Sequence, residues 1–188
     1  KWGEPVEKWS RNMLKHSLNE EGIRLSELEE SAVLKEMEFY FPVENLHPKK
    51  LWTLIRGTEP AFEDLEVASG FMKGFVDLIF ESGGKYYILD YKSNHLGDTL
   101  SEYTDEKLRE EMLAAGYDLQ YHIYALALHR YLSVRMEDYT YEKHFGGVFY
   151  LFMRGVDTEH PGSGVYFDKP DGELIRNMDV YLEQGETA

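Results

Sequence analysis

Two adjacent glycines, Gly83 and Gly84, constrain this chain more than any other residues, because they separate two largely apolar runs, 75–80 and 86–91. A Gly-Gly pair between such runs specifies a two-residue β-hairpin loop, since glycine alone enters the required positive-φ region without penalty. Counting outward from that loop places Asp77 directly opposite Asp90. Lys92 shares the face of Asp90 by strand alternation, lies opposite Phe75 and is diagonal to Asp77. Opposed Cβ atoms are about 5 Å apart, and like charges there destabilise a sheet unless something neutralises them. Two carboxylates with open water positions suit Mg²⁺, with Mn²⁺ as a substitute, and a neighbouring ammonium suits metal-assisted hydrolysis of a phosphodiester. Val76, Leu78, Phe80, Leu89 and Tyr91 make one face apolar, while Phe75, Ile79 and Ile88 flank the carboxylates on the other, which argues for a partly buried site. The competing reading is a solvated hairpin face on which Lys92 merely pairs with Asp77 and Asp90.

Composition sets the limits. A chain of 188 residues with 43% apolar content forms one domain with a sizeable core. The sequence has no long apolar run and no signal-peptide pattern, so it reads as a cytoplasmic protein without a membrane span. Zero cysteines exclude disulfides, thiolate ligands and a cysteine nucleophile. The net charge of −15 runs against the basic footprint of a free-standing nucleic-acid binder. Either the chain does not handle nucleic acid or it belongs to an assembly whose other parts deliver the strand. The opening Lys1-Trp2-Gly3, without an initiating Met, fits a domain cut from a longer polypeptide.

Periodicity predicts a helix over 5–18, a helical turn over 26–31 and a strand over 33–41. That strand carries Val33, Met37, Phe39 and Phe41 on one face, Glu36, Glu38 and Tyr40 on the other, and Pro42 closes it. A helix over 48–55, an acidic loop over 57–66 and the hairpin follow. A polar loop over 93–104 precedes a helix over 105–115 with Leu108 and Met112 inward and Gly116 as its cap. A long helix over 118–135 buries Leu119, Ile123, Leu126 and Tyr131, and places Gln120 and Tyr124 on one face. An apolar strand over 148–153, a short strand over 165–167 and a last helix from Asp171 complete an α/β domain around a mixed sheet.

Several runs carry a resemblance. Lys73-Gly74-Phe75-Val76-Asp77, Leu89-Asp90-Tyr91-Lys92-Ser93-Asn94, Tyr117-Asp118-Leu119-Gln120-Tyr121 with Tyr124, Leu126 through Tyr131 and His144 through Asp157 resemble the C-terminal nuclease domain of the RecB family, from about Leu18 onward. That family lies in the restriction-endonuclease-like superfamily named for its PD-(D/E)xK signature. The resemblance implies a restriction-endonuclease-like core and a Mg²⁺-dependent DNA nuclease, within a RecBCD-type heterotrimeric helicase–nuclease acting in double-strand break repair and recombination. It also implies contact with a RecA-type recombinase. Residues 1–188 then form a single nuclease domain, a C-terminal fragment of a longer helicase–nuclease subunit lacking the start of the domain. The chain has no P-loop motif, so the motor lies elsewhere.

The resemblance makes Asp77 and Asp90 metal ligands, with the carbonyl of Tyr91 as an extra ligand, and Lys92 the catalytic lysine. Gln120 and Tyr124 match its Q-x-x-x-Y helix, and Glu36 matches an acidic strand residue. Glu38 shares the face of Glu36, so that choice rests on the resemblance alone. A histidine that the family draws from an upstream helix has no counterpart, and His16 reads as a surface residue. A fragment missing that ligand is expected to bind metal weakly and cleave poorly. The alternative function is a protein-interaction module that docks a RecA-type recombinase or partner subunits.

Overall fold

The computed structural model describes residues 3–62 and 66–184. Lys1 and Trp2 of the opening, and Glu63 and Asp64 of the acidic loop, lie outside them. Among the described residues, five strands form one sheet in the order β1-β2-β3-β4-β5: β1 (Val33–Leu46), β2 (Ala68–Ser82), β3 (Lys85–Lys92), β4 (Phe145–Phe152) and β5 (Val165–Asp168). Neighbours pair antiparallel except β3 and β4, which are parallel. Among the described residues the helices are α1 (Gly3–Lys15), α2 (Pro48–Arg56), α3 (Asp105–Ala114), α4 (Tyr117–Arg135), the single turn α5 (Tyr141–His144) and α6 (Gly172–Gln184). Two 3₁₀ turns, Leu25–Glu27 and Glu30–Ala32, stand where one helical turn is expected. No described helix is long and apolar enough to cross a membrane.

Gly83 and Gly84 have φ of 60° and 76°, the left-handed pair that a tight hairpin demands. The expected register follows, from Ser82↔Lys85 to Leu78↔Leu89. All eight residues of β4 are buried, as a central strand covered on both faces requires. The larger core lies on the helical side of the sheet, where Met37, Phe39, Val76, Ile79, Ile88 and Tyr150 meet α3, α4 and α6. A smaller core on the opposite face gathers Leu78, Phe80, Leu89, Phe149 and Leu151 under Leu18, Ile23 and Leu25 of the N-terminal segment.

Three details differ from expectation. Pro42 does not close β1, which continues to Leu46 with Pro42 paired to Phe71. β1 is the sheet edge, where a strand can lose one N–H to solvent without breaking a ladder bond. Val33 packs on the smaller core, not with Met37, and Val76 packs on the larger core, not with Leu78. Both departures trace to an irregularity at the Glu36 and Asp77 positions.

Candidate active site

The site lies at a fork in the sheet. β1 and β2 stay paired from Val33↔Phe80 out to Leu46↔Ala68, whereas the β2–β3 ladder stops at Leu78↔Leu89. Asp77 is the first residue past that end. Instead of the direct pairing with Asp90 that the hairpin register extrapolates to, its Oδ2 accepts a hydrogen bond from the backbone N–H of Tyr91 at 3.1 Å. The carboxylate thus takes the place of the next ladder bond and leaves β2 free to diverge. On the other side, the pairs Lys35↔Leu78 and Met37↔Val76 bracket Glu36, so Glu36 stands opposite Asp77 in the register. Glu36 is exposed, with φ of 50°, and the structure records no contact between it and Asp90.

Asp90 and Lys92 continue the face of Ile88 toward α4. Asp90 is 4% exposed, which excludes the solvated-hairpin reading. Its Oδ1 lies 2.5 Å from Lys92 Nζ in an ion pair between a buried carboxylate and a partly buried lysine, yet that oxygen receives no well-angled hydrogen bond. Burial pushes the Asp90 carboxyl above its ordinary pKa, the Lys92 ammonium opposes this, and the Asp77 charge adds to it. Lys92 Nζ also donates to Gln120 Oε1 at 3.1 Å. Gln120 Nε2 in turn donates to Tyr124 OH at 2.9 Å, one helical turn on. Burial first, then the two aspartates, lift the Tyr124 phenol to about 12, so it acts as a neutral hydroxyl.

The sequence reading missed two tyrosines. Tyr150 is the register partner of Asp90 on β4, and its OH donates to Gln120 Oε1 at 3.0 Å. Tyr117, the first residue of α4, lays its ring 4.0 Å from Lys92 Nζ, while the Tyr150 ring lies 4.9 Å away. Tyr117 OH donates to Asn94 Oδ1 at 3.2 Å, and Asn94 Nδ2 donates to Glu111 Oε1 at 2.6 Å. Lys92 is therefore held between a carboxylate, an amide oxygen and two ring faces. The available signal was a lone hydroxyl in an otherwise apolar strand, Tyr150, because a buried phenol needs a partner.

His16 is corrected outright. It is 1% exposed, neither ring nitrogen has a well-formed hydrogen bond, and burial depresses its pKa near Ser163 and Asp157. It sits in the covering of the smaller face, because the chain turns inward after α1 through the Ser17↔Arg24 bridge.

The residues at the fork fit a divalent cation of the hard, oxygen-seeking kind. Asp77 and Asp90 supply carboxylate oxygens, and Asp90 Oδ1 is a buried oxygen lacking a well-angled donor. Among the described residues no group of three or more His, Cys, Asp or Glu side chains is arranged to hold a metal. A cation taken up between two carboxylates would fill the rest of its shell with water and phosphate oxygens, which is the habit of Mg²⁺.

A family profile described as the PD-(D/E)XK nuclease superfamily matches residues 4–187. The chain is 48% identical over 185 residues to "RecBCD enzyme subunit RecB" of Escherichia coli (strain K12), covering 95% of this chain and 16% of that protein. The protein of the same name from Haemophilus influenzae is 44% identical over 184 residues, covering 94% of this chain and 15% of that protein. That of Mycobacterium tuberculosis (strain H37Rv) is 40% identical over 124 residues, covering 62% and 11%. The chain thus spans about one-sixth of the length of the first of these relatives. Nucleases of this superfamily generally depend on a divalent metal. A mixed five-stranded sheet flanked by helices, a fork carrying two aspartates and a lysine, and a match over nearly the whole length agree: the chain belongs to the PD-(D/E)XK nuclease superfamily.

Proposed function

We propose that this chain is the nuclease domain of a RecB-type subunit and hydrolyses DNA phosphodiester bonds with Mg²⁺, for which Mn²⁺ can substitute. The observation that carries this reading is the ion pair of buried Asp90 with partly buried Lys92, braced by Gln120, beside Asp77 at the end of the β2–β3 ladder. In the proposed roles Asp77 and Asp90 hold the cation, with the Tyr91 carbonyl and Glu36 as candidates to complete its protein ligands. A bound divalent cation supplies Lewis-acid polarisation of the phosphate and a lowered pKa for attacking water.

The remaining work falls to this chain's own groups. Lys92 presents its ammonium to a phosphoryl oxygen and stabilises the charge that develops there. Gln120 Oε1 accepts from both Lys92 and Tyr150, so it fixes the direction from which Nζ reaches the substrate. Tyr124 holds the other end of the same amide and prevents it from flipping. Burial of these groups raises the strength of each interaction over its value in water.

The test is cleavage of linear DNA by the full-length subunit in its complex. Asp90→Ala should abolish Mg²⁺-dependent cleavage while the protein still folds, and retained cleavage would sink the assignment.

A second role follows from the charge of −15, which suits a domain that relies on partners to bring it the strand. We infer that the domain works in a RecBCD-type heterotrimer as part of a longer subunit and contacts a RecA-type recombinase. Equal capture of the recombinase by wild type and by Asp90→Ala would support docking independent of cleavage.

A further inference from the structure

β3 and β4 run parallel, so their carboxyl ends open at one place, and Lys92 pairs there with Phe152 as the last register pair. Ligands of sheets with parallel strands bind outside such ends. Two residues past Phe152, in the 3₁₀ turn Met153–Gly155, Arg154 donates from Nε to the carbonyl of Ser93 at 3.0 Å. Ser93 directly follows Lys92, so the residue that anchors this guanidinium lies one Cα step, about 3.8 Å, from Lys92. Arg154 is exposed, and among the described residues it has no carboxylate partner. Every other arginine of the chain pairs with a carboxylate or lies over a tyrosine ring. The exception stands in a chain with 35 acidic residues. Trp9 of α1, Ser93 and Met153 line a cavity of about 250 Å³ with Arg154, and none of them is an acid.

We propose that Arg154 is a phosphate-binding residue of the site: its free edge takes a backbone phosphate of the DNA next to the scissile one, and so sets how the strand lies across Asp77, Asp90 and Lys92. The proposal rests on the nuclease reading and adds a substrate contact to it. With Nε committed to Ser93, both terminal nitrogens of the guanidinium remain to donate side by side to two oxygens of one anion. The Ser93 bond also fixes the direction of that fork before substrate arrives, and a preorganised planar fork loses less freedom per bond than a mobile ammonium. Charge identifies the occupant. A chain of net charge −15 repels a polyanion, so affinity for a phosphate has to come from a cation that no carboxylate has already neutralised. Lys92 is paired with Asp90 and bonded to Gln120, whereas Arg154 is uncommitted on the exposed rim beside it. A strand whose reacting linkage sits at Lys92 continues past this rim and brings a further phosphate to it.

The experiment is fluorescence anisotropy of a labelled mixed-sequence DNA oligonucleotide with this chain in EDTA, so that binding is read without cleavage. Arg154→Gln should weaken binding about tenfold and lower the slope of log Kd against log salt by about one, the signature of one lost phosphate contact. Arg154→Lys should keep the slope, because the charge remains, and lose about threefold in affinity with the fork. Arg135→Gln, which removes an exposed cation at the far end of α4, should stay within about twofold. A series of oligonucleotides, each with one neutral methylphosphonate linkage, locates the contact: one linkage should cost wild type about tenfold and Arg154→Gln nothing further. Melting curves check that the variants fold, which substitution at an exposed position favours. No affinity of wild type for the DNA, Arg154→Gln no weaker than Arg135→Gln, or a methylphosphonate penalty equal in wild type and Arg154→Gln at every linkage overturns the contact, even if Asp90→Ala abolishes cleavage by the full-length subunit. The expected slope and methylphosphonate pattern, with cleavage retained by Asp90→Ala, uphold the contact and remove the nuclease reading instead.

Discussion

Asp118→Ala should destabilise the fold by about 3 kcal/mol through an ion pair that no part of the chemistry uses. Asp118 is the second residue of α4, and its carboxylate takes two bonds from Arg56 at the end of α2: Nε to Oδ2 and Nη2 to Oδ1, both 2.6 Å. The side chains are 16% and 6% exposed. Removing one partner of such a pair costs about 3–5 kcal/mol, because the other charge stays behind unpaired. The lower end applies, since Arg56 keeps the Leu113 carbonyl at 2.8 Å and the face of Trp52 at 3.8 Å. Loss of an acid from the first turn of a helix adds about 0.3–1 kcal/mol. For a chain of this size the melting temperature should fall by about 6–12 °C. Urea unfolding is the assay, read as a lowered midpoint at unchanged slope. Replacing both partners, as Arg56→Met with Asp118→Leu, should recover most of the loss because no charge is then stranded. A loss under about 1 kcal/mol for Asp118→Ala, or a double variant no better than the single, would refute the reasoning.

Three further outcomes are expected. Tyr117→Leu removes the ring face nearest Lys92 and should lower kcat about 5- to 30-fold with KM little changed, whereas Tyr117→Phe should stay within about threefold; equal losses would show that the ring face is not what matters. Asp90 has a raised folded-state pKa, so the native state binds more protons between the ordinary value of 3.8 and that higher value. Stability therefore falls as pH rises through this window, and Asp90→Asn should flatten that part of the curve of urea midpoint against pH, while Mg²⁺ should raise the wild-type melting temperature above the window only. His16 has a depressed folded-state pKa, so the unfolded chain binds more protons just below 6.5. Stability should drop as pH falls through that range, and His16→Leu should remove the drop.

What the sequence made legible was local and repetitive. The hairpin register followed from two glycines, and Leu108, Met112, Ile175 and Met178 followed from helical spacing, because each is decided by neighbours within a turn or a strand pair. Asp90 on the face of Lys92, and Gln120 beside Tyr124, follow from the same periodicities. Contacts between elements far apart in sequence were not legible. Tyr150 reaches Asp90 only because β4 lies parallel to β3, and Tyr117 reaches Lys92 only because α4 crosses the strand ends. His16 was misread for a related reason: a polar residue after an amphipathic helix reads as surface, unless the chain folds back across a sheet face whose cover cannot be inferred locally.

The least legible feature organises the site. A regular strand keeps residues of one parity on one face, yet Val33 and Met37 pack on opposite faces of the sheet, as do Leu78 and Val76. Both strands therefore change face between Lys35↔Leu78 and Met37↔Val76, where Glu36 has φ of 50°. A left-handed conformation costs a residue with a Cβ about 1–2 kcal/mol, and a β-branched one more. That cost turns the ribbon away from β3 and leaves Asp77 free to take the Tyr91 N–H. If the fork imposes this conformation, Glu36→Gly relieves it, offset by glycine's greater freedom when unfolded, so stability should stay within about 1 kcal/mol of wild type. Glu36→Val should lose about 2 kcal/mol despite its preference for strands. Urea midpoints of the two variants decide the matter: a Val variant as stable as the Gly variant means that the backbone there is not held left-handed and the fork has another cause. Cleavage measured on the stable Gly variant then reports what the Glu36 carboxylate contributes to the reaction, apart from the shape of the strand that carries it.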